Sequence, residues 1–155
     1  MVAAAGSQCG GAGGGAAGGW AEARPDAFLP DLATSLNNQS LWLAALGREE
    51  ALAAIEQAAG IYRQLAEARP DAFLPDLAAS LNNQSNRLAD LGRREEALAA
   101  IEQAVTTRRQ LAQARPDAFL PDLATSLRVL AYVLNALGRE SKAMNAQAEA
   151  DAIGR

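Results

Sequence analysis

Histidine is absent from the chain and cysteine occurs once, at Cys9. The first absence removes the side chain whose proton exchanges most readily near neutral pH, together with the commonest zinc ligand. The second excludes an internal disulfide and any cysteine-built metal cluster. Aromatic residues make up only 5% of the sequence. No run of about 18 apolar residues occurs, so no membrane-crossing helix is expected. Basic residues are outnumbered, 14 to 18, for a net charge of −4. That balance argues against a surface for nucleic acid or anionic lipid, both of which need concentrated positive charge. The 155 residues, half of them apolar, are enough for one domain with a real core.

Eight of the 13 glycines fall between Gly6 and Gly19, among alanines. A stretch with so little to bury, and so much backbone entropy to lose, is expected to be a disordered tail over residues 1–19. It lacks the basic and leucine-rich regions of a secretory signal, so a cytoplasmic location is expected. Gly13, Gly15 and Gly18 match the spacing of a dinucleotide-binding turn, but no apolar strand precedes them and the match carries no weight. Cys9 reads as an unpaired thiol.

After Trp20 the sequence repeats. Ala-Arg-Pro-Asp-Ala-Phe-Leu-Pro-Asp-Leu-Ala begins at Ala23, Ala68 and Ala114, with periods of 45 and 46 residues. Residues 22–47 and 67–92 agree at 22 of 26 positions. Such fixed-period identity marks a solenoid, in which each unit buries its apolar face only by stacking on the next. The expected units are 24–69, 70–115 and 116–153.

Each unit divides into two helices. Leu32, Leu36, Leu43 and Leu46 recur at helical spacing after Pro30, which predicts a first helix with proline in its opening turn and Asp26 as a cap. Asp71 with Pro75 and Asp117 with Pro121 repeat the arrangement. Gly47, Gly92 and Gly138 end the first helices. A second helix from Arg48 to about Ala68 carries Ala51, Leu52, Ile55, Ala58, Ala59, Tyr62 and Leu65 on one face. Arg69-Pro70 and Arg115-Pro116 close the second helices, since the residue before proline is driven out of helical geometry. No strand pattern is present, and the expected fold class is all-α: six helices in a helix-hairpin solenoid of three units.

The repeat resembles the tetratricopeptide repeat. The second unit fills that family's pattern with Leu81, Gln84, Ser85, Leu88, Gly92, Ala97, Ile101 and Pro116. The first offers Leu36, Gln39, Ser40, Leu43, Ala51, Ile55 and Pro70. The third supplies Leu127, Leu130, Ala131, Leu134 and Ala143, then departs with Gln147 in the aromatic slot. Units of this length, with Leu-Asn-Asn in the first helix, are similar to the kinesin-light-chain type and to bacterial tandem arrays. The resemblance implies a right-handed superhelix that is not an enzyme and binds a protein or extended peptide along its concave surface, without cofactor or metal. Gln39 and Gln84 stand where the family has a buried leucine, so their amides are expected to need partners. Trp20-Ala-Glu-Ala-Arg matches Leu65-Ala-Glu-Ala-Arg, the end of a second helix, with glycine and alanine upstream. That points to a piece of a longer array or a recent duplication.

On a helical wheel Thr34, Asn37, Asn38, Leu41, Ala44 and Ala45 share an arc away from the leucines. Asn82, Asn83, Asn86 and Asp90 occupy it in the second unit, and Thr125, Arg128, Val129, Tyr132 and Asn135 in the third. Asparagine is a mediocre helix former, so its doubling in mid-helix needs a reason. By analogy with the asparagine ladder that holds peptide backbone in the family, the peptide-binding residues would be Asn37, Asn38, Asn82, Asn83, Asn86, Arg128 and Tyr132. The alternative is that Asn37, Asn38, Asn82 and Asn83 pair with one another between adjacent first helices.

Other patterns have plainer explanations. Asn38-Gln39-Ser40 and Asn83-Gln84-Ser85 fit a glycosylation sequon but lie in mid-helix. Asp26 and Asp31, repeated downstream, suit helix capping better than acid–base chemistry. Arg93, Arg94, Arg108 and Arg109, interleaved with glutamates, read as a solvated, salt-bridged face. The slot of Trp42 holds Arg87 and Val133 in the other units, so Trp42 would face a missing upstream neighbour, tuck under the tail or join a self-association surface. An alternative function follows: a structural piece that forms a homo-oligomer through uncapped solenoid ends. The polar residues of the final helix, Asn145, Gln147, Glu149 and Asp151, would cap the opposite end.

Overall fold

The structure, a computed structural model, describes residues 25–43 and 47–155. The glycine-rich tail, Cys9, Trp20, Ala44, Ala45, Leu46 and the Asp26 side chain lie outside the described residues. Among those described are six helices and no strand: α1 (Pro25–Leu43), α2 (Arg48–Ala68), α3 (Pro70–Asp90), α4 (Arg94–Ala114), α5 (Pro116–Ala136) and α6 (Glu140–Ile153). Each helix packs on the next along the chain, and α3 also touches α5. This serial order is what a helical repeat solenoid requires.

The first helices start five residues earlier than the leucine spacing predicts. They open at Pro25, Pro70 and Pro116, and Pro30, Pro75 and Pro121 lie inside them. Proline at the first position gives up an N–H that has no helical partner anyway. The second proline, five residues on, deprives only a carbonyl of the first turn, here that of Asp71 in α3. Asp71 and Asp117 consequently stand within the first turn, where a carboxylate complements the helix dipole, rather than serving as caps.

A single residue joins successive units. Arg69 ends α2 and begins α3 at φ −139°, ψ 77°, and Arg115 repeats this at −142°, 81°. Each backbone is held on both sides: Arg69 N–H donates to Leu65 O at 2.9 Å, and Arg69 O accepts from Phe73 N–H at 3.3 Å. Both guanidinium groups lie 4.9 Å from the centre of a ring, Phe73 or Phe119. Within units two and three the turn is a six-residue closure. Gly92 and Gly138 take φ of 76° and 71°, and the N–H of the following arginine reaches Leu88 O or Leu134 O at 2.9 Å. The first unit has one residue fewer here. Gly47 is extended at φ −161° and stands directly before α2.

The core runs down the stack between the two helix layers. Ile55, Ile101, Val105, Leu127 and Val133 are wholly enclosed, and Ala51, Ala58, Ala97, Ala104 and Ala143 let the helices approach closely.

Candidate functional site

The two asparagines of each doublet have different surroundings. Asn37 on α1 donates from Nδ2 to Ser80 Oγ on α3 at 2.9 Å. Its counterpart Asn82 is buried and accepts at Oδ1 from Ser126 Oγ on α5, also at 2.9 Å. Asn38 is exposed and Asn83 half-buried, 100° further round their helices. Neither makes a side-chain hydrogen bond among the described residues. The inter-helix alternative therefore describes Asn37 and Asn82, although their partners are serines, and the open-face reading describes Asn38 and Asn83.

These Asn–Ser links identify the tighter layer. Polar side chains as short as these meet only where helices run close, and they do so between first helices. Successive second-layer elements are bridged instead by long ion pairs, Arg109 with Glu149 at 2.6 Å and Arg139 with Glu95 at 2.9 Å.

The sense of the Asn–Ser bond reverses between units, and the cause is one residue. Arg108 on α4 is buried and donates from Nη1 to Ser126 Oγ and, at 2.9 Å, to Asp122 O. Ser126 thus accepts from the guanidinium and donates its single hydroxyl proton to Asn82. Tyr62 holds the matching position on α2 and pairs instead with Thr34 Oγ1 at 2.9 Å. Ser80 is left free to accept from Asn37, whose Oδ1 is then buried without a partner. Arg108 is thus a core residue rather than part of a solvated face. Burial lowers its pKa, opposed by the nearby charge of Asp122.

The open face of α1, α3 and α5 carries two rows. One contains Asn38, Asn83 and Val129; the other contains Leu41, Asn86 and Tyr132, in which the flanking apolar residues are 57% and 67% exposed. Asp31, Asp76 and Asp122 form a third, exposed row that sequence patterning had assigned to capping. Burial nonetheless raises the pKa of Asp76. Arg128, the third-unit counterpart of Asn37 and Asn82, has its guanidinium beside Gly154 at the end of α6. A cation there complements the helix terminus. Of the seven expected site residues, Asn38, Asn83, Asn86 and Tyr132 share the open face; Asn37 and Asn82 lie between helices, and Arg128 closes the end.

Gln39 is exposed and Gln84 half-buried in a recess shared with Glu56, Arg63, Leu88 and Glu96, so neither amide is enclosed without water. Sequence reasoning passed over Ser80 and Ser126. Their signal was a serine recurring at one position of a leucine-lined stripe, at Ser35, Ser80 and Ser126. No group of three or more histidine, cysteine, aspartate or glutamate side chains suited to a metal exists among the described residues. No described helix is long and apolar enough to cross a membrane. No protein-family model matches the chain, and no curated protein does so either.

Proposed function

We propose that this chain is a non-enzymatic interaction module of the tetratricopeptide-repeat type, which holds an extended peptide or partner segment across the open face of α1, α3 and α5. One observation carries the reading: among the described residues the amides of Asn38, Asn83 and Asn86 make no side-chain hydrogen bond, while their neighbours Asn37 and Asn82 tie the helices together. A free amide offers a donor and an acceptor at once, which suits peptide backbone. Leu41 and Tyr132 supply apolar contacts on either side, and the row of Asp31, Asp76 and Asp122 favours a segment bearing lysine or arginine.

The test is selection of a binder from a random peptide library, followed by titration calorimetry. Asn83→Ala and Asn86→Ala should each weaken binding by about 1 kcal/mol, the worth of a neutral hydrogen bond. Unchanged affinity in both variants, with helicity intact, would remove the proposal.

A further inference from the structure

The face of α1 that would meet a preceding unit is uncharged and, among the described residues, open. Phe28, Leu32, Ser35, Gln39 and Trp42 lie at spacings of four, three, four and three residues, a single stripe along the helix. In later units the same positions are buried or half-buried. Leu77 and Leu123 are 8% and 5% exposed where Leu32 is 45%; Val133 is 1% exposed where Trp42 is 79%. Among the described residues, three of the six large apolar side chains most open to solvent lie on this stripe. It adjoins the row of asparagines but is distinct from it.

Two potential occupants fit poorly. Counting back 45 residues from α2, the core positions Ala51, Leu52, Ile55, Ala58, Ala59, Tyr62 and Leu65 correspond to Gly6, Ser7, Gly10, Gly13, Gly14, Ala17 and Trp20. Apart from Trp20, at the very end of that segment, those residues have almost no side chain with which to cover Gln39 and Trp42, and each glycine in a helix interior costs about 1 kcal/mol relative to alanine. The far end of the stack does not fit either. Leu98, Ile101 and Val105, which α4 turns toward α5, are replaced on α6 by Met144, Gln147 and Asp151, and Gln147 Nε2 donates to Asp151 Oδ1 at 2.9 Å. Head-to-tail stacking would press leucine and tryptophan onto that polar pair.

We infer that the occupant is a second copy of this chain, docked stripe to stripe about a two-fold axis at Ser35. The stripe is centred on Ser35, so antiparallel α1 helices set Phe28 against the partner copy's Trp42 and Leu32 against the partner copy's Gln39. The small serine at the axis permits close approach. No charged residue lies on the stripe, so two copies meet without like-charge repulsion, whereas a charged partner would gain nothing from it. An axis normal to the helix layer leaves both open faces on one side, giving a continuous surface of six first helices.

The test is sedimentation velocity of the full chain across a wide concentration range, with Trp42→Arg as the variant. Arg87 already holds that position in the second unit, so the variant should keep its circular dichroism and Tm. Expected is a monomer–dimer equilibrium with Kd on the order of micromolar, weakened at least tenfold by the arginine. In a Cys9→Ser background, Ser35→Cys should form a disulfide-linked dimer on mild oxidation, and Met144→Cys should not. A strict monomer would overturn the inference. So would growth beyond the dimer, or dimerisation indifferent to Trp42→Arg. None of these outcomes bears on peptide binding, which a monomeric variant retains.

Discussion

Ser80 and Ser126 occupy equivalent positions, are both fully buried, and each bond to an asparagine of the preceding unit. They should nevertheless differ in what their removal costs. Ser80→Ala deletes one neutral hydrogen bond, to Asn37, worth about 1 kcal/mol. Ser126→Ala removes both the acceptor of a buried guanidinium and the donor to Asn82, leaving two enclosed polar groups short of a partner. Arg108 keeps Asp122 O, so the loss is partial, and about 2 kcal/mol is expected. At roughly 4 °C per kcal/mol for a chain of this size, the two variants should melt about 4 and 8 °C below the parent. Urea unfolding followed by circular dichroism at 222 nm provides the free energies. The cost should shrink when the whole set goes together: Asn82→Leu, Arg108→Met and Ser126→Ala combined should be less harmful than Ser126→Ala alone, since no buried polar group is orphaned. Equal costs for Ser80→Ala and Ser126→Ala, or a triple variant worse than the single, would refute the buried chain Arg108–Ser126–Asn82.

Two glycines should respond to alanine in opposite directions. Gly60 lies inside α2 with open space where a Cβ would go, so Gly60→Ala should stabilise by about 0.5 to 1 kcal/mol; Gly138, at φ 71°, should lose about 1 kcal/mol through backbone strain. Chemical denaturation checks both. Burial, then the charges of Asp76 and Asp31, raise the Tyr62 pKa above its ordinary 10.0, against the opposing effect of the Thr34 hydrogen bond. A folded pKa above the unfolded one means the native state holds its proton longer, so stability is complete below about pH 10 and falls as pH rises past it. Tyr62→Phe should be slightly less stable at pH 7 but flatter in alkaline melts; an unchanged alkaline slope would contradict the assignment.

Much of this architecture could be read from residue order, and its gaps have physical causes. The second helix of the first unit runs from Arg48 to Ala68 as its apolar spacing and the Arg69-Pro70 stop indicate. Gly92 and Gly138 stand at the turns expected of them because only the left-handed region closes those helix ends. The starts of the first helices were hidden by a second proline, which looks like a boundary but is tolerated where it frees only a first-turn carbonyl. The doublets could not be divided in sequence, since neighbours only 100° apart fall on one arc, and which of them touches the next helix depends on how units stack. Arg108 is disguised by its surroundings. It sits among exposed residues, Thr106 and Arg109, and only the serine waiting on α5 makes its burial tolerable.

The division of labour within each asparagine doublet is the central claim, and the side-chain amide resonances of an isotope-labelled sample test it most directly. On titration with a selected peptide, the amide signals of Asn38, Asn83 and Asn86 should move, while those of Asn37 and Asn82 hold their positions. Movement of Asn37 and Asn82 with the other three unchanged, or shifts confined to α2, α4 and α6, would contradict it.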